Sequence, residues 1–305
     1  MARRRLPQAL RGAAFALGLL GWGACAASTL QLCDAPASLS VQDKSRLLRF
    51  GAVIKAELER SGAPLALVAR SGTDLSRFGV RYSHAGVSLK DSPETPWAVR
   101  QLYFACEERQ PRLYDQGMAA FLLGTHEPRL GYVSVVLLPP VSAADLARAA
   151  LDKPTALQVL GASYSANAYP FSLHYQNCNQ WVAELMAVAW GGSGDGTDGR
   201  AQAQRWLRAQ GYEPSVVEVG WRVLMWLGHL IPWVHSDDHP EADLVQSRYR
   251  VSLPASIEAF VRLRVPGAER LEFCHTETQV VVHRGWDDVA EGCVPGAGDA
   301  VIALD

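Results

Sequence analysis

Between residues 45 and 60 the apolar side chains Leu47, Leu48, Val53, Ile54 and Leu58 recur among charges at helical spacing, which predicts an amphipathic helix. A short apolar run over 64–68, ended by Ala69-Arg70-Ser71-Gly72, predicts a strand and a turn. Residues 78–89 and 97–104 read as two strands joined by the turn-rich segment Lys90-Asp91-Ser92-Pro93-Glu94-Thr95-Pro96, a hairpin with His84 on its first strand. Residues 117–123 predict a short helix, 131–138 a strand stopped by Pro139-Pro140, and 142–151 with the segment after it helix or loop. Asn177 is placed to cap a helix that runs through Trp190 and stops at Gly191-Gly192. The stretch 192–199 is a Gly/Ser/Asp/Thr loop. Helices are expected over 201–209 and over the mostly apolar 216–230, strands over 248–253, 271–275 and 279–284, and a helix over 256–264. No internal repeat is visible.

The first residues change the picture of where the chain works. Arg3-Arg4-Arg5 and Arg11 precede an apolar stretch over 13–22 and small residues Ala24, Ala26 and Ala27, the three parts of a signal peptide spanning 1–26. The apolar stretch is too short to span a bilayer. The expected protein is therefore exported, periplasmic or secreted; Trp22 in place of a small aliphatic residue argues against lipidation at Cys25. Cleavage removes four arginines and no acid, so 29 basic against 31 acidic residues become 25 against 31 and the formal net charge moves from −2 to −6. Such a surface does not attract nucleic acid. About 280 residues remain, enough for one large domain that does not need disulfides to fold. Five cysteines remain, an odd number in an oxidising compartment. Cys274 and Cys293 flank one short C-terminal unit and are the easiest pair to bridge. Cys33 with Cys106 is the second pair, which leaves Cys178.

A thiol at a helix start and an imidazole on a strand are the two parts that a cysteine nucleophile needs. Asn177 as cap puts Cys178 in the first turn, where unpaired N–H groups and the positive dipole end favour the thiolate. A nearby imidazole then serves as base and later as acid for acyl transfer through a thioester. The strand Ser83-His84-Ala85-Gly86-Val87, followed far downstream by Asn177-Cys178 leading a helix, resembles the circularly permuted papain-like group. That group includes the lecithin retinol acyltransferase family and the permuted NlpC-like hydrolases. The resemblance implies His84 as base and Cys178 as nucleophile, with a polar residue on the following strand orienting the imidazole. Gln101 stands at that place, with Glu107 and Glu108 as alternatives. The oxyanion would be held by the Cys178 N–H and a second donor; Gln176 and Asn179 flank Cys178 and are either that donor or ordinary capping residues. The mature chain also resembles a bacterial family known as domain of unknown function 2145. That likeness is carried by Tyr82-Ser83-His84-Ala85-Gly86, Asn177-Cys178-Asn179, Asp237-Asp238-His239-Pro240 and His283-Arg284-Gly285-Trp286.

Other motifs read differently. His235-Ser236-Asp237-Asp238-His239 lies between Pro232 and Pro240, which makes it a loop that lids the pocket or binds a carboxylate-seeking substrate group, rather than a metal site. Trp221, Met225, Trp226, Leu230, Ile231 and Trp233 lack the basic face of a membrane-surface helix and predict core packing or an apolar wall for an acyl chain. Cys274 and His275 are adjacent on a strand and point to opposite faces, which leaves Cys274 structural and His275 exposed. No nucleotide loop, zinc-finger spacing or cofactor motif occurs.

The expected fold is α+β: over 27–305, a single permuted papain-like (NlpC-like) domain. Its antiparallel sheet packs on the helix carrying Cys178, with helical and strand additions from about residue 200. The expected function is that of an exported cysteine hydrolase or acyltransferase, acting on an amide or ester of a cell-wall peptide or a lipid acyl group. Neither cofactor nor metal is called for. The alternatives are a non-catalytic envelope protein that binds a peptide or lipid in the same groove, and an envelope structural protein.

Overall fold

The computed structural model describes residues 39–105, 108–192, 198–228 and 230–304, all within the unit Cys33–Asp305. The expected signal peptide with Cys25, the pair Cys33 and Cys106, and Glu107 lie outside the described residues.

Ser40 opens α1 (Val41–Ser61) through a capping box. Its hydroxyl accepts from the Asp43 N–H at 3.1 Å, and the Asp43 carboxylate accepts from the Ser40 N–H at 3.2 Å. Gly62, left-handed at φ 70°, closes the helix. The buried stripe Leu47, Phe50, Ile54 and Leu58 follows the 3.6-residue period and faces the sheet. Then come β1 (Leu65–Arg70), β2 (His84–Leu89), β3 (Ala98–Ala105), β4 (Gln110–Gln116), α2 (Met118–Leu122) and β5 (Gly131–Leu137). Two helices, α3 (Pro140–Leu151) and α4 (Lys153–Gln158), and a long loop lead to α5 (Cys178–Gly191), followed by α6 (Gly199–Ala209). The C-terminal part comprises β6 (Ser215–Glu218), α7 (Arg222–Gly228), α8 (Glu241–Val245), β7 (Arg248–Val251), α9 (Pro254–Arg264), β8 (Glu269–His275), β9 (Gln279–Arg284) and β10 (Ala300–Ala303).

Eight strands form one sheet in the order β10-β9-β8-β5-β1-β2-β3-β4, every neighbouring pair antiparallel; β6 and β7 form a separate two-stranded ribbon. Alternate residues of each central strand serve opposite layers. Ala66, Val68, Val133, Val135, Leu271 and Phe273 pack with α1 and α2. Leu65, Leu67, Ala85, Val87, Leu102 and Val136 pack with α3, α5, α6 and α9. The protein is thus α+β, with a large antiparallel sheet covered by helices on both faces. The C-terminal strands are part of this frame: β8 pairs with β5 from Glu269↔Leu137 to His275↔Gly131 and extends the sheet from its middle.

Three expectations are corrected. The strand expected over 78–89 is helical at Ser76–Phe78 and extended only from His84, because Gly79 turns the chain at φ 68°. The apolar helix expected over 216–230 is a strand, a turn and the short α7, and most of its apolar side chains face solvent. His275, expected to be exposed, is fully buried, because β8 is an interior strand with helices over both faces. Its ring lies against Phe50 at 4.6 Å, and Gly131 opposite leaves the room; a Cβ there would stand 2.7 Å from His275 Nε2.

Cys274 and Cys293 form a disulfide that ties β8 to the segment after β9 across a separation of 19 residues. Breaking it with Cys274→Ser should lower unfolding free energy by about 3 kcal/mol, as measured by denaturant titration. A second test concerns pH. Burial pushes the His275 imidazole down to about 4, against an ordinary value of 6.5. A depressed folded pKa means that the unfolded chain takes up the proton first. The associated stability is therefore complete above pH 6.5 and is lost progressively as pH falls toward 4, by about 3 kcal/mol. In His275→Gln the unfolding free energy should fall less steeply over that interval.

Candidate active site

The pairing of β2 with β3 covers only Val87↔Arg100 to Leu89↔Ala98. Toward His84 the two strands separate, and the backbone groups of residues 83–85 lose their neighbour on that side. Asn179 fills the fork. Its Oδ1 accepts from the Ala85 N–H at 2.8 Å, and its Nδ2 donates to Ser83 O and to Ser252 O, each at 3.1 Å. On the other side of Cys178, Asn177 caps α5 by accepting from the Gln180 N–H at 2.7 Å, while its Nδ2 donates to Ser252 O at 3.1 Å and Ala166 O at 3.3 Å. Asn179 thus clamps the helix start to the strand that carries His84, and Asn177 ties it to Ser252 and Ala166.

Cys178 is buried and carries its thiol in the first turn of α5. His84 opens β2, and its register partner is Arg70. Directly opposed residues of antiparallel strands point to one face, so the imidazole shares the α2 side of the sheet with Arg70. Its ring lies 6.0 Å from that of Phe121, over which the Arg70 guanidinium also sits at 5.3 Å. Cys178 belongs instead to the core on the α5 side. The thiol and the imidazole therefore flank the fork from its two sides.

The third expected residue meets the second. His84 Nε2–H donates to Gln101 Oε1, and Gln101 Nε2 donates to Gln116 Oε1 on β4 at 2.7 Å. An amide oxygen accepts only, so the ring carries its proton on Nε2 and Nδ1 is the basic nitrogen. Gly86 permits this closeness of β2 and β3, since a Cβ there would lie 2.9 Å from Arg100 O and 3.3 Å from Gln101 Cβ. Burial first, and the Arg70 charge second, push the His84 pKa down to about 3, with Gln101 pulling the other way. The ring is therefore neutral at physiological pH rather than half of a standing ion pair. The alternative Glu108 lies on the surface of the β3–β4 hairpin with Arg112 and Gln110.

The two oxyanion candidates have other duties. Gln176 accepts from the Gly161 N–H at 2.7 Å and donates to Val159 O at 2.8 Å and Glu184 Oε2 at 2.6 Å. Asn179 has both amide hydrogens in the fork. An amide group has two hydrogens to donate, so neither residue has one left for an oxyanion, and the capping and clamping reading applies to both. Sequence reading missed Glu184, buried in the middle of α5. Arg200 Nε at 2.9 Å, Gln180 at 3.0 Å and Gln204 at 2.8 Å meet it, and burial raises its pKa while Arg200 pulls the other way. The only sequence signal was a carboxylate in an otherwise apolar helix.

The His235–His239 loop closes over the segment before α5. His235 stacks on Tyr175 at 4.4 Å, Asp238 Oδ2 accepts from the Tyr169 N–H at 2.9 Å, and His239 Nε2 donates to Asn167 O at 2.7 Å. Asp238 Oδ1 also lies 3.7 Å from His239 Nε2, but no group of three or more potential metal ligands occurs among the described residues.

Residues 57–261 match the sequence model of a bacterial family described as uncharacterized protein conserved in bacteria (DUF2145), and the chain belongs to that family. No curated protein and no solved structure matches it. The matched span contains His84, Gln101 and the Asn177-Cys178-Asn179 clamp, whereas β8–β10 follow it.

Asn179→Ala would leave one buried N–H and weaken two carbonyl contacts at the fork. Unfolding free energy should drop by roughly 2–4 kcal/mol, and amide exchange at Ala85 should rise above that of the β1–β5 pairs. Equal exchange at both places would remove the clamp assigned to Asn179.

Proposed function

We propose that the protein is an exported cysteine hydrolase or acyltransferase of permuted papain-like arrangement, acting on an amide or ester of a cell-wall peptide or a lipid acyl group. The observation that carries this reading is the buried His84–Gln101 pair on the strand segment to which the Cys178 helix is clamped. A fixed tautomer with a basic Nδ1, and a thiol at a helix start one residue from the clamp, are the parts of a general-base thiol mechanism. In that mechanism the Cys178 sulfur bonds to the substrate carbonyl carbon and its proton passes to His84 Nδ1. The amine or alcohol leaves with that proton, and water or a second acceptor releases the acyl group from the thioester. Because burial and Arg70 oppose an imidazolium, the positive ring exists only while the substrate carries the compensating negative charge. The order His84, Gln101, Cys178 along the chain supports the permuted arrangement, and the basic, apolar and small-residue start of the chain supports export.

One observation favours a second reading. The imidazole lies on the α2 side of the sheet and the thiol in the α5-side core, which suits a non-catalytic envelope protein that keeps the fold and binds a peptide or lipid.

Acyl-enzyme trapping separates the two. After incubation with a p-nitrophenyl ester or a peptide amide, intact-mass analysis should find one acyl group on the wild-type chain and none on Cys178→Ala. His84→Ala should acylate roughly 10²–10⁴-fold more slowly, with Gln101→Leu between. Hydrolysis by Cys178→Ala at the wild-type rate, or no adduct with either probe, would replace the enzyme by the binding protein.

A further inference from the structure

From the exposed apolar turn around α7 we infer a docking surface for a phospholipid bilayer, independent of the chemistry at Cys178. Trp221 is 73 % exposed, Trp226 65 %, Leu230 71 % and Val223 62 %, with Leu224 and Leu227 also open to solvent. Only Met225 of this group turns inward, onto Tyr249, Val251 and Leu253.

The shape of the patch identifies its occupant. At 100° per residue, the positions from Trp226 through Val223, Leu227 and Leu224 to Trp221 span roughly 220° of the helix circumference. A groove on a folded partner covers one stripe of a helix and would leave much of this surface in water. A bilayer conforms to a protrusion from every side. The helix is also only seven residues long, about 10 Å, a small part of the surface that a stable protein dimer buries. Its chemistry agrees: residues 219–234 contain three tryptophans, one arginine and no acid, and tryptophan favours the boundary between headgroups and acyl chains. An inserted tip of this kind does not need the long basic face of a helix lying flat on the membrane.

The protrusion is continuous with the fork. Trp233 O accepts from the Ala166 N–H at 2.8 Å, and Ala166 O accepts from Asn177 Nδ2, the cap of the Cys178 helix. A bilayer engaged by α7 thus lies one loop from Cys178.

The test compares the full-length wild-type chain with Trp221→Ala/Trp226→Ala on vesicles of phosphatidylcholine and phosphatidylglycerol with brominated acyl chains. Leu48→Ala/Val141→Ala removes exposed apolar surface elsewhere as the control. Co-sedimentation should show partitioning at least about tenfold weaker for the tryptophan variant and unchanged for the control. Bromine quenching of the wild-type fluorescence should fall in the same variant. Residues 1–38 are the same in all three proteins, so any binding that they contribute is common to them. Wild-type chain that does not bind, or equal quenching and partitioning in wild type and variant, overturns the inference. So does lipid-free sedimentation in which the tryptophan variant alone turns a dimer into a monomer, because the patch is then the seat of a second copy.

Discussion

The arrangement of the candidate site depends on the fork between β2 and β3 and on the side chain that fills it. Backbone N–H and C=O groups buried without partners are unfavourable by about 1–3 kcal/mol each, and a sheet whose strands part company in its interior creates several. Asn179 resolves this with one amide: it takes the place of the missing strand at Ala85 and Ser83, and by its bond to Ser252 O it joins the C-terminal half to the same point. Asn177 meets the same carbonyl from the other side of Cys178. The sequence Asn177-Cys178-Asn179 therefore fixes the position of the thiol through its neighbours, and a cysteine between two such anchors has little freedom to drift.

Buried charge holds the layers on either side of this point. Glu184 gathers Arg200, Gln176, Gln180 and Gln204, so that α5, α6 and the segment before Cys178 meet on one carboxylate. At the far end Glu272 receives Arg81 at 2.9 Å, the Tyr82 hydroxyl and the Val289 N–H at 2.8 Å, and Arg270 reaches Glu258 at 3.0 Å and Asp288 at 2.7 Å. Removing one partner of such a network strands the other in a medium that solvates it poorly. The loop from Arg81 to Ser83, which leads into His84, is held from the same carboxylate that receives the β9-to-β10 connection. The position of the histidine thus depends on the C-terminal strands as much as on its own hairpin.

Much of this was legible in the sequence where a local signal agreed with the tertiary context. The period of Leu47, Ile54 and Leu58 yields α1, and Asn177 before an apolar run yields the start of α5. The pairing of Cys274 with Cys293 follows from their nearness in the chain. Gln101 as the partner of His84 comes from resemblance and strand order, and the side-chain hydrogen bond from His84 Nε2 to Gln101 Oε1 joins the two across the point where β2 and β3 separate. Reading failed where context outweighed pattern. Gln110-Pro111-Arg112-Leu113-Tyr114-Asp115-Gln116 carries no apolar alternation, because β4 is an edge strand with one neighbour, and it was missed. Residues 216–230 look like a core helix by composition, although composition says nothing about which side of a turn meets water. The alternation argument for His275 assumed a half-exposed strand, whereas β8 is covered on both faces. The functions of Gln176 and Asn179 depend on contacts 8 to 96 residues away, which no local pattern encodes.

The electrostatics of His84 decide which chemistry the fork can support. A thiolate–imidazolium pair at rest needs a charged ring, and here burial, the Arg70 guanidinium beside the same Phe121 ring and the low polarity of the α2 layer all oppose one. Gln101 works against this, but an amide dipole stabilises a cation far less than a carboxylate does, and Gln101 is itself fixed by Gln116. A carboxylate at position 101 would favour the imidazolium and a standing ion pair. Glutamine instead keeps the ring neutral and oriented, with Nδ1 the basic atom. Such a ring is uncharged and held in one orientation at the fork. The preference for orientation over charge is therefore built into the strand pair itself, by the choice of an amide rather than an acid across from the histidine.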